Sequence, residues 1–308
     1  MNNLFTPIIK RSSAPTTPET TLAPISRGNV SAGELIQCYN LALEQWRDTE
    51  CAKGILEILN KKNITVKKAV CLAIGTPSGD GFVYGMSASN WRWRAFLQLI
   101  AFAEMVRYLG IPDDEVYIQE PALTDADRAL IHEIGHGAWK IIDIEIPEFR
   151  RDLDPFELFA YSHENDFAFY DDSNTRHEND AFHKIDEETM VFMIGALDDI
   201  MVWNEYEIVK SPLVIHRLET PIGAKHYPDE DGLANLEYAP ACRQVSEQYR
   251  LAHYAFAKDR LRTPIPGCDF PFPPDSDVKV APFVRQGIYT LKPGTDRKVK
   301  EIRGAILE

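Results

Sequence analysis

Apolar positions along the chain change period at about residue 68, and the change divides it into helical and strand-bearing parts. Leu35, Ile36, Tyr39, Leu43 and Trp46 recur at helical spacing, and Ser31 with Glu34 makes the S-x-x-E start of a capped helix running through roughly Arg47. Ile55, Leu56 and Leu59 mark a second, shorter helix over about Cys51 to Asn60. Val70 to Ile74 is a continuous apolar run, the pattern of a central parallel strand covered on both faces. It breaks at Gly75 into a loop that also carries Gly79, Gly81 and Gly85. A long helix follows from about Asn90 to Leu109, stopped by Gly110 and Pro112. Val116 to Ile118 is a second strand, with Glu120 just beyond its end. Thr124 caps a helix over Asp125 to Ile134, closed by Gly135 and Gly137. Further strands are predicted at Trp139 to Ile144, Thr189 to Ile194 and Leu213 to His216, with a helical crossover over Ala196 to Tyr206. The order β-α-β-α-β-β-α-β defines an α/β protein with a mostly parallel sheet of about five strands flanked by helices. The two N-terminal helices are expected to flank that sheet as a lid or side layer.

Three stretches lack such periodicity. Residues 1–27 are rich in Ser, Thr and Pro and are expected to form a disordered arm. Residues 147–188 form a polar, acidic insert within the 28–220 α/β domain, of a length usually found in functional covers. Residues 221–308 are expected to be an irregular extension packed on the same domain. It would hold a helix from Pro240 to Leu261, then a proline-dense segment (TPIPGCDFPFPPDSDVKVAPF) wrapped over the surface and anchored by its Phe residues.

Composition narrows the function classes. A net charge of −14 opposes general nucleic-acid binding, which needs clustered Lys and Arg, and opposes docking on anionic membranes. No apolar run reaches the length that spans a bilayer. Five cysteines without a C-x-x-C pair read as thiols in a reducing compartment, the cytoplasm or the nucleus.

Candidate chemistry gathers at the strand ends. The loop holding Gly75, Thr76 and Ser78 could offer backbone N–H groups to a phosphate or carboxylate, or could be a packing turn; its glycine spacing is not the dinucleotide fingerprint. Glu120 stands where an acid bonds a ribose hydroxyl in nucleotide-binding α/β sheets, and where a solvated turn acid would also stand. Asp198 and Asp199, after the fourth strand, could supply a general base or complement a helix dipole. Tyr84 and Trp91 are candidate pocket walls. The Trp91-Arg92-Trp93-Arg94 run fits stacking on a flat ligand or ordinary helix packing with snorkelling arginines. Gln98, polar within an apolar helix, needs a partner in a loop or ligand.

The stretch His132-Glu133-Ile134-Gly135-His136 spells H-E-x-x-H, the zinc-hydrolase pattern in which two histidines one helical turn apart chelate the metal. Here Gly135 and Gly137 signal a helix end before the second histidine. No metal is therefore assigned. The insert's cluster of His163, Asp166, Asp171, Asp172, His177, Asp180 and His183 matches no metal-binding loop and reads as a solvated acidic lid.

Four motifs in order resemble the SRR-like ("sensitivity to red light reduced"-like) domain family over about residues 30–220. CLAIGTPSG is similar to its C-L-G-L-G-S turn, and QLIAFAEMVRYLGIP to its Q-L-A-x-L-L helix. VYIQEPALTDADRALIHEIG resembles its Y-x-Q-D-P-x-F-x-x-x-D-x-x-L-L-x-x-L-G segment, and ETMVFMIGAL its T-L-F-x-x-P-H turn. The chain departs from the family at Glu120 (usually Asp), at Leu123 (commonly Phe), at Ile194-Gly195 (commonly Pro-His) and in its long insert. The resemblance implies a Rossmann-like fold and a link to light, circadian or tetrapyrrole biology, with no established reaction and no named cofactor. Together with the strand-end residues, it leads to the expectation of a small organic ligand in the crevice of the 75–90 loop, Glu120 and Asp198. Glu120, Asp198 and Asp199 are then candidates for acid/base work, and Gly75, Thr76, Ser78, Tyr84, Trp91 and Gln98 for ligand contact. The alternatives are a non-catalytic interaction protein or, more remotely, a zinc hydrolase through His132, Glu133 and His136.

Overall fold

The computed structural model describes residues 30–62, 64–78, 88–120, 123–143, 181–194, 208, 210–216, 260–267, 270–271, 279–280, 283 and 287–293. The expected 1–27 arm, the 196–206 crossover and nearly all of the acidic insert lie outside them.

Ser31 accepts from the Glu34 amide while Glu34 accepts from the Ser31 amide, and this capping box opens α1 (Ala32–Trp46). Leu35, Cys38, Tyr39, Ala42, Leu43 and Trp46 form its buried face, and α2 (Glu50–Lys62) buries Cys51, Ala52, Ile55 and Leu59. Both helices pack on later helices: α1 lies against α3 (Ala88–Tyr108) and α4 (Asp125–Ile134), and α2 against α3. The expected flank is therefore a layer on helices.

The parallel strands are β1 (Lys68–Leu72), β2 (Val116–Gln119), β3 (Lys140–Ile141), β4 (Thr189–Met193) and β5 (Leu213–His216). β1 stops two residues before its apolar run does, because Ala73 takes φ 52° and turns the chain out of the sheet. Chain order across the sheet is β3-β2-β1-β4-β5, followed by β9 (Gly287–Leu291), antiparallel to β5, and β6 (Arg260–Pro264), which pairs antiparallel with β9 and so runs in the direction of β5. The extension is thus not simply irregular. It contributes two strands to a mixed sheet of seven, and Arg260 and Leu261, expected to end a helix, begin β6. β7 (Phe270–Pro271) and β8 (Lys279–Val280) pair separately within the proline-dense stretch. Phe283 from that stretch is buried against Trp46, ring centroids 5.8 Å apart.

From β1 the chain steps one way to β2 and β3, and from β4 the other way to β5. The direction therefore reverses between β1 and β4. Ala69, Cys71, Ile118, Phe192 and Ile215 face the layer of α1–α4 in the larger core. Val70, Leu72, Val191, Met193 and Val214 face a smaller core completed by Phe182, Ile185, Ile208 and Tyr289. The last residues of the insert are thus tied to the sheet: Ala181–Lys184 forms a 3-10 turn whose Ala181 amide donates to Gln119 Oε1 at 2.7 Å.

Two charge pairs brace this frame. Arg47 bonds both oxygens of Glu104, through Nε at 3.0 Å and Nη2 at 3.1 Å, joining α1 to α3. The Glu104 side chain is only 6% exposed, so removing its partner strands a charge away from water. Arg47→Ala is expected to lower stability by about 3 kcal/mol, read as a reduced urea midpoint with an unchanged slope. Lys68 bonds Asp186 beside the amino ends of β1 and β4. Burial disfavours the Asp186 charge, but hydrogen bonds from Lys68, the Thr189 hydroxyl and the Glu188 amide outweigh it and hold the carboxyl below its usual range. A folded pKa below the unfolded one means the stabilisation is present above about pH 4 and is lost as pH falls through the folded value. Asp186→Asn should therefore unfold at lower urea than the parent at pH 7, and the gap should close on acidification below about pH 4.

Candidate functional site

The carboxyl ends of β1 and β2 are joined by a turn whose backbone is held by side chains from the next strand and helix. After β1, Ala73 donates its amide to the Gln119 carbonyl at 3.2 Å, and Gly75 follows at φ 79°. That second positive φ is a conformation glycine adopts without steric cost. Gly75 N–H donates to Glu120 Oε2 at 2.8 Å, so the acid at the end of β2 reaches back across one strand spacing to fix the turn. Ser78 donates its amide to Asp127 Oδ1 and its hydroxyl to Asp127 Oδ2, each at 2.7 Å. Asp127 is also the third residue of α4, where it accepts from the amide and hydroxyl of Thr124. One fully buried carboxylate thereby caps α4 and anchors the far end of the turn.

Gly75, Thr76, Ser78 and Glu120 are brought together by these bonds. Thr76 is 8% exposed, and its hydroxyl is buried without a hydrogen-bond partner. Gln98 is buried in α3, the helix that links β1 to β2. Trp91 lies in the first turn of α3, with its side chain outside the described residues, and Tyr84, Asp198 and Asp199 are outside them altogether. Beneath the turn, burial first and the Glu120 carboxylate second push the Cys71 thiol well above its usual range, so it remains protonated and inert. Cys38 and Cys51 are likewise buried.

Three polar residues at this edge were not singled out from sequence. Asp127 and Gln119 coincide with lettered positions of the resembled Q-D-P-x-F-x-x-x-D segment, which was the available signal. His216 ends the apolar run of β5; it is 3% exposed, with Nδ1 2.9 Å from the Met193 carbonyl. A polar residue closing an otherwise apolar strand was the cue there.

The H-E-x-x-H stretch does not form the zinc-hydrolase geometry. α4 ends at Ile134, Gly135 packs against the Trp139 indole, and His136 lies beyond the helix at φ 50°. His132, Glu133 and His136 are all exposed. Among the described residues no group of three His, Cys, Asp or Glu side chains is placed to hold a metal ion, and no helix is long and apolar enough to cross a membrane. A shallow crevice between α1, α2 and α3 is lined by Trp46, Ile55 and Met105, and its two charged groups, Arg47 and Glu104, bond each other.

The strand order defines an α/β protein with a mostly parallel open sheet, and in open α/β sheets ligands commonly sit outside the carboxyl ends of the strands where the direction switches. Residues 43–209, just over half of the chain, match the family model of the SRR1 domain, and the chain belongs to that family. No curated protein and no solved structure is matched.

Replacing Asp127 by Ala leaves four donor bonds from Ser78 and Thr124 without their acceptor. The expected loss is about 2–4 kcal/mol, accompanied by faster amide exchange at Ser78, measured by hydrogen exchange with mass spectrometry.

Proposed function

We propose that the protein binds a small organic molecule at the carboxyl edge of the sheet between β1 and β4, and that Glu120 is its principal polar contact. The observation carrying this reading is the Ala73–Ser78 turn. It leaves β1 through two residues of positive φ and is clamped by Glu120 and Asp127 where the strand direction reverses. A non-glycine residue held in the left-handed region costs on the order of 1–3 kcal/mol, and such strain collects at ligand sites. Glu120 is half-buried and has one oxygen on the Gly75 amide. The carboxylate is therefore oriented before a ligand arrives, as a group that takes a proton or a hydrogen bond from a substrate must be. Asp198 and Asp199, four and five residues past Ile194 in sequence, are proposed to share the acid/base work.

The full-length chain should be screened by thermal shift against nucleotides, S-adenosylmethionine, tetrapyrroles, small acids and small amines. A ligand present at a hundred times its Kd adds about 2.7 kcal/mol to folding stability, a shift of several degrees. The expected outcome is at least one stabilising compound whose effect disappears in Glu120→Ala. A screen in which nothing stabilises the parent would favour the interaction-protein reading instead.

A further inference from the structure

The backbone donors of the turn after β1 fall into two sets. Ala73 N–H bonds the Gln119 carbonyl, Gly75 N–H bonds Glu120, Ser78 N–H bonds Asp127, and Pro77 has no N–H. The amides between them, those of Ile74 and Thr76, have no hydrogen-bond partner among the described residues. Open water does not serve them either. Ile74 is 2% exposed and Thr76 8%, so almost the whole of each residue, backbone included, is covered. Buried N–H groups without an acceptor are rare in folded proteins, because each forfeits the bond it would make in water. Here two of them stand two residues apart in one turn.

The Thr76 side chain adds a third group, since its hydroxyl oxygen is also buried without a hydrogen-bond partner. A hydroxyl both donates and accepts, so by itself it selects no ligand. An amide only donates, and the two amides beside it therefore decide the class. Resting on the small-molecule reading above, we infer that the ligand meets this turn through an acceptor oxygen. That oxygen, whether carbonyl, carboxylate or phosphoryl, takes hydrogen bonds from the Ile74 and Thr76 amides and the Thr76 hydroxyl. Glu120, when ionised, only accepts, so the turn and the acid recognise opposite groups on one molecule: an oxygen for the turn and an O–H or N–H for Glu120. Hydroxy acids and carboxamides carry both.

Proton–nitrogen correlation spectra of the full-length protein, titrated at matched ionic strength, test this at the atoms concerned. The probes are glycolate, inorganic phosphate and acetamide, which separate charged from neutral acceptors, with methylammonium as a donor-only control. At least one acceptor is expected to move the Ile74 and Thr76 amide protons saturably downfield, as hydrogen bonding to oxygen does, while methylammonium leaves them in place. The affinity of that acceptor should fall about fivefold in Thr76→Val and return in Thr76→Ser, which restores the hydroxyl. Amide protons that respond to none of the three acceptors, or that move as far with methylammonium, would overturn the inference. So would an unchanged affinity in Thr76→Val. If the thermal-shift screen yields a compound that depends on Glu120 and leaves both amides unmoved, the acceptor assignment fails while the small-molecule site stands.

Discussion

The hydrogen bond from the Gly75 amide to Glu120 is the contact on which the carboxyl edge depends. β1 cannot run straight into α3, because Ala73 and Gly75 both turn through positive φ, and such a path persists only where bonds over-determine it. Glu120 fixes the first half of the turn and Asp127 the second. Asp127 is at the same time the capping-box partner of Thr124 in α4, so the start of that helix, the end of β2 and the turn after β1 form one bonded unit. Loosening any of the three loosens the others.

The opposite edge shows how the remaining strands are held. Ser211 donates its hydroxyl to the Thr189 carbonyl, and Arg260 reaches from β6 to the Ser211 carbonyl at 2.6 Å. Together with Lys68 and Asp186, these bonds tie the ends of β1, β4, β5 and β6. Apolar burial on both faces supplies most of the driving force, but it is non-directional and roughly proportional to area. The polar bonds at the two edges are directional, and a one-residue slip of any strand would exchange its two faces and break them. Gln119 makes two such directional bonds: its side chain holds the Ala181 turn on one face while its carbonyl holds Ala73.

Much of this was legible in the sequence, for reasons that can be traced residue by residue. α1 and α4 announce themselves through capping boxes, and β1, β4 and β5 through apolar runs with no polar interruption. Gly75 and Glu120 could be found because both lie within three residues of a strand end. Asp127 was hidden by doing two jobs, since a Thr-x-x-Asp start is fully explained by helix capping alone. The antiparallel β6–β9 pair was hidden for a different reason. β6 reads RLRTP, with only its first residue buried and a proline at its end, which is the composition of a sheet edge and carries no alternation to detect. Its partner β9 is buried along most of its length but sits in a stretch dominated by proline and charge.

The family match ends at residue 209, before β5, so the antiparallel strands and His216 lie outside it, while the whole Gly75–Glu120–Asp127 unit lies inside. Within that unit the chain carries Glu where the resembled motif usually has Asp. The difference is one methylene, and it extends the reach of the carboxylate by about 1.5 Å, the length of one carbon–carbon bond. An aspartate on the same backbone would fall short of the 2.8 Å contact that Glu120 makes with Gly75 unless the two strand ends moved closer. The longer side chain can therefore brace the turn with one oxygen from a half-exposed position. At position 120, then, the same group supports the fold and presents negative charge at the crevice, and the two functions are separable by Gln, which keeps the first and removes the second.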